Sequence, residues 1–211
     1  MARLHVDATI SPTKLELLDR WVPTRPWFDG TPGAGLEQVA AYRFDDPAGE
    51  VGVETFLLRA GDGPVLQVPV TYRDAPLEGA EASLITTMEH SVLGRRWVYD
   101  GAGDPVWAAT LTTAVLTGGV QADQVVGPDD DQQVREPSAT VSGSGTAGTA
   151  VPDVGVLASE DTATTTVVTT GALEITLSRV LGDRPVADGS PVLVGSFGDR
   201  EGVLLAVVRE L

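Results

Sequence analysis

The chain has 211 residues, with 30 acidic and 14 basic side chains, no cysteine, and a formal net charge of −16. The charge excludes nucleic-acid backbone and anionic membrane as partners, since both repel it. The missing cysteines exclude a disulfide scaffold, a thiolate metal site and a cysteine nucleophile.

A hydrophobic fraction of 42% is enough to bury a core, and the length fits one domain or two small ones. The N-terminal MARLHVDATI lacks an apolar signal core, and no run approaches the ~20 apolar residues of a membrane span, so the expected address is cytoplasmic. Leu4, Val6, Ala8 and Ile10 alternate with His5, Asp7 and Thr9, which predicts a strand with one wet face. Ser11-Pro12 then reads as an N-cap and first helical residue, opening a short helix with Leu15, Leu18 and Trp21 on its apolar stripe. Three strands follow at 37–45, 51–60 and 64–73, separated by the turn sequences Asp46–Gly49 and Ala60–Gly63, and predict an antiparallel meander. Segment 77–90 reads as partly helical, and Val92–Tyr99 as a strand. Asp104-Pro105 repeats the cap-plus-proline signal and opens a helix to Leu116 that ends at Gly118-Gly119.

Residues 127–152 are small, polar and turn-rich, with Asp129-Asp130-Asp131 and PSATVSGSGTAGTAVP. They read as a flexible linker between a first unit, 1–126, and a small β-rich unit, 153–211. Four β-rich runs make up the second unit: Thr164–Val168, Leu173–Val180, Pro191–Phe197 and Val203–Val208. With helices packed on an antiparallel sheet, the predicted fold class is α+β.

Chemistry-bearing residues are few. Gly143–Gly148 superficially resembles a phosphate loop, but it has no following lysine and no flanking strand and helix. The only lysine is Lys14. Glu89-His90-Ser91 suggests a triad or a metal ligand, yet the only other histidine is His5, and a histidine hydrogen-bonded to a neighbouring strand explains it as well. Arg95-Arg96-Trp97 is the one basic cluster; it either pairs with the chain's own acids or docks an acidic partner or a sugar. Trp27-Phe28, in a Pro/Gly-rich loop, is the preferred exposed aromatic contact. The candidate contacts are therefore Trp27, Phe28, Glu89, His90, Arg95, Arg96 and Trp97. No catalytic residue, metal or cofactor is implied.

Four segments carry a family resemblance: SPTKLELLDRW (11–21), YRFDDPAGEVGVETFLL (42–58), VPVTYRDAPLEGAE (68–81) and MEHSVLGRRWVYDGAGDPV (88–106). Over 1–120 the chain resembles the N-terminal cap domain of actinobacterial maltokinases, which implies a curved antiparallel sheet with helices packed on it. The second unit resembles the first strands of the kinase N-lobe that follows such a cap. Thr176 stands where that family carries its ATP-binding lysine, and the sequence ends at Leu211 before any C-lobe. The resemblance implies a non-catalytic, pseudokinase-like binding or regulatory module near maltose, trehalose or glycogen metabolism, whose partner is a protein or a small carbohydrate. Two alternatives remain open: a carbohydrate-binding or glucan-active protein using cap tryptophans and carboxylates, and an accessory subunit of a sugar kinase.

Overall fold

The computed structural model describes residues 2–3, 8–31, 33–126, 133–182 and 189–211. In chain order the elements are β1 (Ala2–Arg3), β2 (Ile10–Ser11), α1 (Lys14–Trp21), β3 (Leu36–Phe44), β4 (Gly52–Ala60), β5 (Val65–Arg73), β6 (Leu84–His90), β7 (Gly94–Asp100) and α2 (Pro105–Thr117). The second half adds β8 (Gln124–Val126), β9 (Gln133–Arg135), β10 (Thr140–Gly143), β11 (Ala158–Asp161), β12 (Thr165–Thr169), β13 (Leu173–Ser178), β14 (Val180–Leu181), β15 (Val192–Phe197) and β16 (Arg200–Glu210). The fold is α+β.

The meander expected from the turn chemistry is present. Strands β3, β4 and β5 pair antiparallel, and β7, β6 and β2 extend the same sheet in the order β2-β6-β7-β5-β4-β3. Most of the strand expected from the alternation at residues 4–10, His5 included, lies outside the described residues. Segment 77–90 is not helical beyond the short 3₁₀ turn Glu81–Ser83. Its β-branched Ile85, Thr86 and Thr87 instead form a strand, because β7 offers seven residues of antiparallel partner.

Helix α1 starts two residues later than Ser11 would set it. Thr13 is the N-cap: its side chain accepts from the Glu16 N–H at 3.3 Å, and Glu16 Oε2 accepts from the Thr13 N–H at 2.8 Å. That reciprocal box satisfies two orphan donors, while Ser11 pairs with Glu89 as the end of β2. Helix α2 follows the sequence signals: Asp104 caps it, Pro105 opens it, and Gly118 ends it with a left-handed φ of 72°.

A second sheet has the order β10-β15-β16-β13-β12-β11. One core cluster runs through Tyr42, Val53 and Leu57 of the first sheet, Trp107 and Leu111 of α2, and Ile175, Leu193 and Leu205 of the second sheet. The opposite face of the first sheet packs Phe56, Leu58, Val68 and Val98 against Leu17 and Leu18 of α1. With apolar layers on both faces, β5 is buried without alternation from Val65 to Thr71.

The two halves share hydrogen bonds as well as core. Strand β14 pairs with β5, so residues from the second half enter the first sheet. Buried Gln67 of β5 donates to the carbonyls of Ser178 (2.8 Å) and Leu205 (2.9 Å) and accepts from the Tyr42 hydroxyl (2.9 Å). Within 127–152, where the composition predicts a flexible linker, the structure places β10 against β15, with Ala139 and Val141 buried. The small residues there fit narrow spaces beside α2, a role that composition alone does not reveal.

Candidate functional site

Of the seven candidate contacts, five fall on one β-hairpin. Glu89 and His90 end β6, Arg95, Arg96 and Trp97 open β7, and Ser91-Val92-Leu93 joins the strands. Gly94 closes the loop at φ 73°, a conformation that favours glycine. His90 Nδ1 accepts from the backbone N–H groups of Val92 and Leu93, both at 3.2 Å, and Arg96 donates to the Leu93 carbonyl at 2.6 Å. These bonds hold the loop in one shape and turn Val92 (60% exposed) and Leu93 (46% exposed) to solvent. Arg95 Nε lies 2.8 Å from Glu89 Oε1 across the ladder, and both side chains are exposed. Such a pair contributes about 0–1 kcal/mol and exchanges readily for another partner. Trp97 is half-buried opposite Thr87.

Glu89 and Ser91 are each engaged away from His90. The Glu89 carboxylate faces Arg95, and the Ser91 hydroxyl oxygen accepts from the Thr9 N–H at 3.0 Å. Among the described residues no three His, Asp or Glu side chains gather as a metal-ligand cluster.

Trp27 is fully buried, contrary to the exposed contact expected from its loop. It stacks edge-on to Trp21, with centroids 5.8 Å apart, and receives the Arg179 guanidinium over its ring at 4.8 Å. Phe28 is half-buried and packs on the same cluster. The Pro/Gly-rich loop covers the core here instead of presenting a surface.

Arg179, a lone arginine beside a strand, reads in sequence as a surface or interface group, and the structure corrects that reading. Wholly buried, it donates Nη2 to Asp100 Oδ2 (2.5 Å) and Nε to the Thr166 hydroxyl (2.7 Å). Nearby, Arg25 donates to Asp161 Oδ2, and Thr166 to Asp161 Oδ1, both at 2.5 Å. Burial pushes the Asp161 carboxyl up, but hydrogen bonds from Thr166 and Arg25 and the charges of Arg179 and Arg25 outweigh it and hold the group low. This network ties β11, β12 and the residue after β13 to Asp100 at the end of β7 in the first sheet.

Lys14 and the Gly143–Gly148 run are both engaged within the fold. Lys14 donates to Glu54 Oε2 at 2.6 Å, beside the Tyr72 hydroxyl at 3.0 Å. Burial raises the Glu54 carboxyl, yet Lys14, Arg43 and the two hydrogen bonds together hold it below the usual range. Gly143–Thr146 meets the C-terminal end of α2: Gly145 N–H donates to the Val115 carbonyl (2.9 Å) and Thr146 N–H to that of Leu116 (3.0 Å). Its donors are occupied, and they face the negative end of a helix, where an anion is repelled. Thr176, half-buried on β13, sits between Val167 and Val207.

Residues 21–104 match the family model of the maltokinase N-terminal cap domain. The matched span runs from the end of α1 through the whole meander to the N-cap of α2, within the 1–120 expected from the resemblance. No curated protein matches the chain. Among the described residues, no helix is long and apolar enough to cross a membrane.

Proposed function

Starting from a chain that carries a maltokinase N-terminal cap-like domain, we propose that it is a non-catalytic binding module that docks a protein partner through the hairpin 84–100, in a regulatory role near maltose, trehalose or glycogen metabolism. The observation that carries this reading is the hairpin tip. Val92 and Leu93 are held out to solvent beside Arg95 in a strongly acidic protein. Ordering an exposed apolar pair with several hydrogen bonds fits a contact surface, because it lowers the entropy lost on binding. A non-catalytic role is supported by the chemistry of phosphoryl transfer, which needs a cationic clamp on the phosphates. The only lysine is paired with Glu54, and Arg179 is enclosed in the core. A tryptophan-based sugar site gains no support from Trp27, which is buried.

A photo-crosslinking amino acid at position 92 tests the reading in the native host, with position 201 as an exposed control. A discrete protein adduct at 92 and none at 201 is expected. Equal labelling at both positions, or none at either, would overturn it, as would turnover of ATP by the purified chain.

A further inference from the structure

A cavity of about 520 Å³ lies along the outer face of α2, away from the hairpin. Its floor is Val106, Ala109, Thr110, Thr113 and Thr117, positions that fall on one helix face over three turns, or about 16 Å at the helical rise. One wall is the β3–β4 turn, with Asp45, Asp46 and Pro47; the other is Asp153–Gly155. The three threonines look polar in sequence but are apolar in effect. Thr110 donates its hydroxyl to Trp107 O, Thr113 to Ala109 O and Thr117 to Thr113 O, at 2.7–3.0 Å. With those hydroxyls turned back on the helix, the floor presents largely methyl groups.

Two exposed valines extend this apolar surface: Val120, 60% exposed, lines the cavity, and Val156, 91% exposed, follows the wall residue Gly155. Among the described residues, every charged residue lining the cavity is an acid. Asp46 accepts the N–H groups of Ala48, Glu50 and Val51, so it shapes the turn while leaving its negative charge at the rim.

We propose that this groove docks an amphipathic helix of a partner protein whose apolar stripe is flanked by lysines or arginines. The small floor residues let a second helix approach α2 closely, and the length matches three turns of it. The acidic rim selects cationic flanks. A second copy of this chain is disfavoured, because two molecules of charge −16 repel each other. No lining residue belongs to the hairpin 84–100, so the groove and the hairpin stand or fall separately.

The probe is an amphipathic helical peptide of about 15 residues with a leucine/alanine stripe and lysine flanks, long enough to lie along the groove. It is titrated into the full chain and followed by fluorescence anisotropy and hydrogen exchange. Saturable binding with protection of 106–117 is expected. Thr113→Trp fills the groove at an exposed position without changing the charge, so it should weaken binding about tenfold or more. A glutamate-flanked peptide should bind at least as weakly. Asp45→Asn with Asp153→Asn should weaken binding several-fold and flatten its salt dependence. Unaltered binding by Thr113→Trp would mean that the lysines merely coat an acidic surface, and would overturn the proposal. Equal affinity for the glutamate peptide, protection elsewhere, or no saturation would overturn it too.

Discussion

The backbone N–H of Gly145 donates to the carbonyl of Val115 at 2.9 Å, closing the C-terminus of α2 with a loop 30 residues further along the chain. A Cβ at Gly145 would overlap the Leu116 carbonyl oxygen, and one at Gly143 would overlap that of Ala114. The glycines are therefore required for close backbone approach, and they satisfy carbonyls that a helix end leaves unpaired. Gly145→Ala should cost about 2–4 kcal/mol, because backbone must move and helix carbonyls lose their donors. Urea unfolding measures it. A loss no larger than that of Gly171→Ala, where a Cβ meets nothing within 4 Å, would contradict this account.

That loop marks the limit of what the sequence discloses. Turn chemistry and alternation locate the meander within a residue or so, and Asp104-Pro105 and Gly118 locate α2, since each signal acts through its immediate neighbours. Gly143–Gly148 has no local signal, because its partner is a helix end that only the fold brings near. The strand β6 is misread for the same reason: its state is decided by β7 and not by its own period. Trp27 and Arg179 are more instructive. Neither burial is visible in one dimension, since each supplies the environment that the other needs. Glu89-His90-Ser91 and Arg95-Arg96-Trp97 stand out in sequence only as two separate motifs, because the hairpin that joins them depends on β6 being a strand; the groove, assembled from stretches far apart in sequence, gives no local signal at all.

Removing the Arg179 guanidinium leaves Asp100 buried without its cation and Trp27 without its stacked partner. Breaking a buried pair from one side is costly, so Arg179→Ala should lose about 3–5 kcal/mol. The double variant Arg179→Met with Asp100→Asn removes both charges and should be less damaged than Arg179→Ala. Chemical denaturation of the variants compares them. If the double variant lost the sum of the single losses, the two groups would not be coupled.

The Glu54 carboxyl titrates lower in the folded chain than in the unfolded one. Burial opposes that shift, and the charges of Lys14 and Arg43 with the bonds from Lys14 and Tyr72 exceed it. A depressed folded value gives stability that is fully present above the unfolded value, about pH 4.3, and is lost as pH falls through the folded one. The Asp161 carboxyl, also held low, contributes in the same direction. Glu54→Gln should therefore lower stability at neutral pH and narrow its gap from wild type as the medium is acidified below about pH 4. Urea midpoints from pH 7 to 3 read the gap. A constant gap over that range would show that Glu54 does not supply the acid dependence.

Asp104 serves two structures with one carboxylate. It caps α2 by accepting from the Val106 N–H at 2.9 Å, and it accepts both Arg73 Nε and Nη2 at 2.7 Å with the Thr71 hydroxyl at 2.7 Å. Asp104→Asn can keep the cap but not the bidentate pair, and should cost about 1–3 kcal/mol. Asp104→Ala loses both and should cost about 3–5 kcal/mol. Thermal and urea unfolding rank them. Equal losses would mean that the cap contributes nothing beyond the ion pair.

Val92 and Leu93 bury little in the chain itself, so replacing both with aspartate should change stability by no more than about 0.5 kcal/mol each. The backbone N–H groups that bond His90 Nδ1 are unaffected by the exchange, which leaves the loop its shape. Binding should respond very differently. An apolar pair at the centre of a contact is desolvated on docking, and two carboxylates there would have to be desolvated without a partner, so affinity should fall by about two orders of magnitude. Arg95→Glu places like charge opposite Glu89 and reverses the one exposed cation at the tip, and should act in the same direction through a slower association rate. The crosslinking yield at a neighbouring position, read beside the unfolding midpoint, separates the two effects. Loss of stability matching the loss of binding would assign the tip to the fold; loss of binding alone assigns it to the partner.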